Sequence, residues 1–302
     1  EKGRNFKVKM SWDSPKVIKA MRAEKKEFKK LIKKHELDGI ISDNRLGVYS
    51  KKIPCVFITH QLNVLSGNTT WMSSKAHQKV IKKFDACWVP DVEGKPNLTG
   101  KLGHLKKTKL HIAYLGPLSR FKNKNIPLKY DLMVLLSGPE PQRTFLEEKI
   151  WEELKQFEGK VLFVKGKIEA EQTCSEIPLT KGQMTVYNFM QSQTLEKALN
   201  SSAEVLCRSG YTTVMDLAKL EKKAFFIPTP GQYEQEYLAK RLQKQDLVPF
   251  CKQEDFTLSE LKRIPKFKGL DAFEMQTDYD ALFAVFSKVK ENSEPTSASL
   301  ST

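Results

Sequence analysis

The sequence predicts an α/β protein made of two doubly wound, parallel-sheet domains. Three observations carry that expectation. Short apolar runs alternate with helical patterns along most of the chain. The runs are continuous rather than alternating, as suits strands covered on both faces. And 302 residues are too many for one typical core but suit two.

In the amino-terminal half, Ser14-Pro15 marks a helix start. Val17, Ile18, Met21, Phe28, Leu31 and Ile32 then share one face at helical spacing, and lysines fill the rest. The stripe reads as a docked helix with a basic outer side. Runs at 39–43 ("GIISD"), 55–60 ("CVFITH"), 87–91 ("CWVPD") and 111–117 ("HIAYLGP") follow as strands, with a crossover helix in "KAHQKVIKKFDA". The polar stretch "SRFKNKNIPLKYD" (119–131) has no period and reads as a linker.

The second half repeats the alternation more clearly. Strands are expected in "DLMVLLSG" (131–138), "KVLFVKG" (160–166), "MTVYNFM" (184–190), "AEVLCRSG" (203–210) and "KAFFIPTP" (223–230), each leading to a crossover. "DAFEMQTDYDALFAVFSKVK" is a last amphipathic helix. The expected division is 1–122, 123–290 and a polar, disordered tail at 291–302.

Composition narrows the function. The formal charge is +15, which favours an anionic partner: nucleic acid, acidic lipid or a phosphorylated small molecule. No apolar stretch is long enough to span a bilayer and no signal peptide opens the chain. Five scattered cysteines, with no CxxC pair, read as small buried residues in a reducing compartment, so a cytoplasmic location is expected.

Ligands of open parallel sheets lie beyond the carboxyl ends of the strands. Three such loops share a character: "SGPEPQRT" (137–144), "RSGYTT" (208–213) and "TPGQYEQEY" (229–237). Ser137 and Gly138 allow close backbone approach, with Arg143 at the following helix. Gly210 leaves room for a phosphate oxygen, and the residues after it present N–H groups at the positive end of a helix. Thr212 and Thr213 add hydroxyls, and Asp216, one turn on, suits the paired hydroxyls of a ribose. A Ser-Gly turn with an N-terminal threonine also occurs for purely local reasons.

The segment "CRSGYTTVMDLAKLEKKAFFIPTPGQYEQEYLAKRL" resembles the donor-site segment of the GT-B glycosyltransferases, in particular the peptidoglycan (lipid II) N-acetylglucosaminyltransferase family. The Arg208-Ser209-Gly210 elbow and Thr213 match that pattern. Asp216 stands where the family has a ribose-binding glutamate. Gln235 matches its glutamine, and Glu234 replaces a histidine. "LLSGPEPQRT" is similar to the family's first glycine loop, with Ser137-Gly138-Pro139 in place of Gly-Gly-Ser. More weakly, 39–121 resembles related, poorly characterised bacterial glycosyltransferases.

The resemblance implies two Rossmann-like domains and transfer of a sugar from a nucleotide-sugar donor, UDP-linked by preference, to a hydroxyl acceptor, lipid-linked or of the cell envelope. It implies no metal and no cofactor, because helix termini and basic side chains stabilise the leaving diphosphate. Nothing before Ser14 matches the family's opening strand and glycine loop, so the first domain is expected to be incomplete and the fragment inactive or short of its general base. Arg143 and Arg208 are candidates for phosphate or bracing roles, and Asn188 for the base pocket. His60 and Asp43, at strand ends in the first half, are the candidate general bases. A peripheral contact with anionic membrane is expected, and nucleic acid is not. Three other readings stay open: a sugar-nucleotide epimerase of the same architecture, a truncated chain that only binds nucleotide, and a basic nucleic-acid-binding protein.

Overall fold

The structure, a computed structural model, describes residues 4–270, 273 and 277–287, with side chains from residue 19 onward. The tail at 291–302, most of 271–276 and the side chains of Val17 and Ile18 lie outside the described residues. The chain forms two compact units. One comprises Glu1–Pro90, Lys101–Gly116 and Gln276–Thr302, the other Asp91–Gly100 and Pro117–Met275.

The first unit opens with α1 (Arg4–His35), which begins ahead of the expected Ser14. Phe28 is its buried anchor, whereas Leu31, assigned to the same face, is 48% exposed at the edge of the stripe. Strands β1 (Ile40–Asp43), β2 (Cys55–Ile58), β3 (Ala86–Val89) and β4 (Ile112–Tyr114) form a parallel sheet in the order β1-β2-β3-β4, with α2 (Thr70–Ile81) between β2 and β3. Phe28, Phe57, Ile81, Phe84 and Cys87 build the core on one face. Val56, Trp88 and Leu115 carry the other face, against Leu282, Val285 and Phe286. Both faces are covered, which is why the runs read as continuously apolar.

The second unit holds β5 (Tyr130–Leu135), α3 (Gln142–Leu154), β6 (Glu158–Val164), β7 (Cys174–Leu179), β8 (Lys181–Tyr187), α4 (Ser192–Asn200), β9 (Ser202–Cys207), α5 (Tyr211–Lys219), β10 (Lys223–Phe226) and α6 (Tyr233–Lys244). The sheet order is β10-β9-β5-β6-β8-β7, parallel except for β7. Fully buried Val134, Phe163, Leu206 and Phe225, one from each of four neighbouring strands, line up in one core with Leu146 and Ile150 of α3.

Four expectations are corrected. The step from β6 to β8 is not a loop or helix but passes through β7, which pairs antiparallel with β8 from Cys174↔Tyr187 to Leu179↔Gly182. The division near residue 122 is also not where the units part. Asp91 folds 91–100 into a loop of the second unit by accepting from the N–H groups of Val92 (2.8 Å), Leu98 (2.9 Å) and Thr99 (2.8 Å), and Arg241 of α6 donates to Asn97 Oδ1 at 2.7 Å. Conversely α7 (Tyr279–Ser287) packs in the first unit, where Phe283 and Phe286 meet the Trp88 ring edge-on. The stretch 119–131 is no free linker. Lys122 N donates to Glu196 (3.0 Å), Lys124 N to Asn200 (2.8 Å), and Phe121 is buried. Finally Cys174 is exposed on the edge strand; all five cysteines are free.

Candidate functional site

The second sheet has one topological switch point. From β5 the chain moves outward to β6 and β8, then returns to β9 on the other side of β5. A crevice therefore opens beyond the carboxyl ends of β5 and β9, where ligands of such sheets lie. The loop 136–141 leaves β5 there and Arg208-Ser209-Gly210 leaves β9 there.

The three loops singled out in the sequence meet at this edge. Arg208 Nη2 donates to Gln142 O at 2.8 Å, tying the β9 elbow to the start of α3. Ser209 Oγ donates to Gln235 O at 2.9 Å, and Gln235 Oε1 accepts from Thr229 N at 2.8 Å, which ties the elbow to the loop after β10. Gly138 has φ +107, a conformation L side chains rarely adopt, and a Cβ there would stand 3.8 Å from Thr229 Oγ1. That hydroxyl is buried with no hydrogen-bond partner.

Gly210 is the N-cap of α5 and has no side chain with which to cap the helix. Its first turn holds no acidic residue. A Cβ on Gly210 would meet nothing within 4 Å, so the space above the helix start is open. Thr212 is exposed and Thr213 half-buried, and with Asp216 they fall on one helical face at i+3 and i+4 spacing. A helix start carries the positive end of the helix dipole, and with an open approach above Gly210 this is the arrangement that favours an anion.

Arg208 lies beneath this elbow at 1% exposure. It donates to Ile227 O and Pro228 O (both 3.1 Å), Gln142 O and Gln253 Oε1 (2.8 Å), and it has no carboxylate partner among the described residues. Burial draws its pKa down to about 10, still charged at neutral pH. Its role is bracing: the guanidinium ties three loops and adds a positive field from below.

Arg143 is also withdrawn from direct phosphate contact. Its Nε donates to Glu140 (2.6 Å), Nη1 to Glu147 and to Lys165 O, and Nη2 to Thr144 Oγ1 (2.6 Å), with 3% of the side chain exposed. Four of its five N–H donors are in use within the protein. Asn188 is likewise committed, accepting from Thr173 N and Phe189 N and donating to Glu169 and Glu171 O, so it pins the loop 167–173 rather than reaching the three loops. Ser137 and Gly138 are exposed at the mouth.

Sequence reasoning missed three residues here. Ser119 Oγ donates to Asp216 Oδ1 at 2.6 Å; burial raises the Asp216 pKa, with Ser119 and Arg120 opposing. Ser119 sits in a segment without pattern, 97 residues away, and gave no signal. Lys165 (3.1 Å) and Lys167 (3.8 Å) ring Glu147 beside the β6 carboxyl end. Lysines following a strand end were the available clue.

In the first unit, Asp43 ends β1 and is exposed, and His60 lies two residues past the end of β2, its paired strand. Thr59 Oγ1 accepts from Gln61 N at 3.1 Å and shapes that turn. His77 of α2, not foreseen, packs against Phe57; burial lowers its pKa and its Nε2 is buried without a partner. Its i, i+4 relation to buried Ile81 marks it as inward-facing. Among the described residues no group of three or more His, Cys, Asp or Glu side chains is arranged to hold a metal, and no helix is long and apolar enough to cross a membrane.

Residues 141–266 match the glycosyltransferase family 28 C-terminal domain. The matched span holds the β9 elbow, α5 and the Gln235 loop. Over 245 residues the chain is 24% identical to the UDP-N-acetylglucosamine–N-acetylmuramyl-(pentapeptide) pyrophosphoryl-undecaprenol N-acetylglucosamine transferase of Haemophilus ducreyi, covering 78% of this chain and 65% of that one. The Buchnera aphidicola enzyme of the same name is 25% identical over 220 residues, 70% of this chain and 56% of that one. The chain thus spans roughly 56–65% of these relatives' lengths. Among solved structures, MurG of Acinetobacter baumannii superposes with a TM-score of 0.51 at 16% identity, over 93% of this chain and 75% of that one. The calicheamicin glycosyltransferase CalG4 gives 0.54 at 11%, over 93% and 78%. The fold is that of the GT-B glycosyltransferases, and the stretch that matches the family 28 C-terminal domain lies within its second unit.

Proposed function

We propose that this chain is part of a glycosyltransferase that moves a sugar from a UDP-sugar to a hydroxyl acceptor. The observation that carries the reading is the glycine-started helix α5, open above Gly210 and located at the sheet's switch point within the stretch that matches the family 28 C-terminal domain. In this reading the diphosphate of the donor lies against the N–H groups after Gly210, with the hydroxyls of Thr212 and Thr213 beside it, and Asp216 holds the ribose. As the donor bond breaks, negative charge grows on the departing diphosphate, and fixed N–H dipoles oriented beforehand stabilise it without needing to reorganise. Arg208 holds those dipoles in place. His60 and Asp43 are the side chains of the first unit proposed to take the acceptor proton.

The relatives' names, with an undecaprenol-linked substrate, support a lipid-linked acceptor. The exposed Trp71 and Met72 of α2, with Lys75 over the Trp71 ring at 4.0 Å, supply an apolar-and-basic surface suited to anionic lipid. Sedimentation with neutral and anionic vesicles tests that contact; equal partition would remove it.

Calorimetric titration with UDP, UDP-sugars and GDP-sugars tests the donor site. Binding of UDP and its sugars, weakened by Asp216→Ala, is expected. No UDP binding at millimolar concentration would end the reading.

A further inference from the structure

We propose that the amino edge of the first unit's sheet binds a phosphate ester with a hydrocarbon chain, at a site on the opposite edge from Asp43 and His60. A cavity of about 970 Å³ opens there. Its floor is apolar: Ile53 and Pro54 before β2, Phe84 before β3, Leu110 before β4, and Leu282 and Val285 of α7. Its opening is basic. Each of the three loops entering a strand contributes lysine: Lys51 and Lys52 before β2, Lys82 and Lys83 before β3, Lys109 before β4.

The charge pattern is the argument. Five lysines converge on one opening, and Asp85 is the single carboxylate lining it. Asp85 Oδ2, in the loop before β3, already accepts from Cys55 N at the start of β2 at 2.7 Å. None of the five lysines pairs with a carboxylate among the described residues, although ion pairs are common elsewhere on this surface. Like charges gathered over low-dielectric walls repel one another and focus a positive field into the cleft, which favours an anion. A doubly charged phosphate monoester answers several lysines at once, where a carboxylate answers fewer. The apolar floor asks for something more than inorganic phosphate, because only a hydrocarbon chain removes that surface from water. The cavity also lies within the size range of sites that enclose small molecules.

Three loops distant in sequence, at 50–54, 82–85 and 109–111, share this composition only because the sheet brings them together. The donor crevice has a different construction and lies in the other unit, so the two bindings are separable.

The test is calorimetric titration of the whole chain with monomeric dodecyl phosphate below its micelle concentration. Butyl phosphate, inorganic phosphate, dodecyl maltoside and vesicles containing phosphatidic acid serve as parallel probes. Dodecyl phosphate is expected to bind, with affinity rising up to about fourfold per methylene from the butyl ester. Inorganic phosphate and the neutral maltoside should bind at least tenfold more weakly. Lys82→Glu with Lys109→Glu, both exposed and so compatible with folding, should lower dodecyl phosphate affinity at least tenfold and leave UDP binding unchanged. Equal binding of the maltoside, equal binding by the double variant, or binding to vesicles without binding of the monomer would overturn the proposal. Loss of UDP binding in Asp216→Ala, with dodecyl phosphate still bound, would support it and show that the two sites stand independently.

Discussion

Two edges of this molecule are arranged for negative charge, and they are built from opposite materials. At the carboxyl edge of the second sheet the positive groups are backbone N–H dipoles and one buried arginine, all fixed by the fold. At the amino edge of the first sheet they are five lysines on flexible stems. Fixed dipoles lose little entropy on binding and suit a charge that develops during a reaction. Lysines lose rotamer freedom when they close on a ligand and are screened by salt. The first design suits a transition state, the second suits retention of a ground-state molecule.

The largest effect should come from the bracing arginine. Arg208→Met removes donors from four oxygens in the loops around α5, and a buried acceptor left unpaired costs about 1–3 kcal/mol. A fall in unfolding free energy of about 3 kcal/mol is expected in urea denaturation. Were the variant as stable as the parent, Arg208 would be held for its charge alone and the contrast between rigid and flexible edges would weaken.

Gly210→Asp sharpens the same contrast with opposite signs on two readouts. A carboxylate at the N-cap satisfies the helix N–H groups itself, so stability should hold or rise by a few tenths of a kcal/mol. The same group occupies and repels the diphosphate, so UDP affinity should fall about 100-fold, roughly 2.7 kcal/mol. Unchanged UDP affinity would mean that the nucleotide lies elsewhere.

Ionic strength separates the edges more gently. The lysine-lined cavity is open to solvent, so raising salt from about 0.05 M to 0.5 M should weaken dodecyl phosphate binding several-fold more than UDP binding. Parallel salt titrations of both ligands would measure it, and equal slopes would erase the distinction.

The features legible in the sequence are those that repeat. Strands such as 55–60 and 203–210 show as apolar runs because both faces are covered, and the elbow at 208–213 shows because Gly and Thr mark a helix start. What stayed hidden depends on single polar contacts across long separations. Lys122, Lys124 and Ser119 fix a segment that looked loose, through partners 74 to 97 residues away. The edge strand β7 was hidden because most of its residues are exposed and it includes Pro178, which a central strand would not tolerate. For the arginines the sequence left phosphate contact and bracing both open, and their burial among carbonyls and carboxylates favours bracing.

The smallest effect concerns two acids that titrate in opposite senses. Burial raises the Asp216 pKa above the ordinary 3.8, so the folded state binds that proton more readily than the unfolded one. Stability from this group is therefore present in acid and lost as pH rises from near 3.8 through the folded value. Burial also pushes Glu147 upward, but Arg143 and the two lysines outweigh it and hold its pKa below 4.5. Its contribution is present above that value and lost as pH falls through the folded one. Asp216→Asn should accordingly stabilise slightly at pH 7 and not at all at pH near 3. Glu147→Gln should destabilise at pH 7, and the difference should shrink in acid. Thermal melts of both variants across that range would check the pair. If both melted earlier at pH 7, Asp216 would be stabilised when charged, and its carboxylate would be held by the fold rather than kept for a ribose.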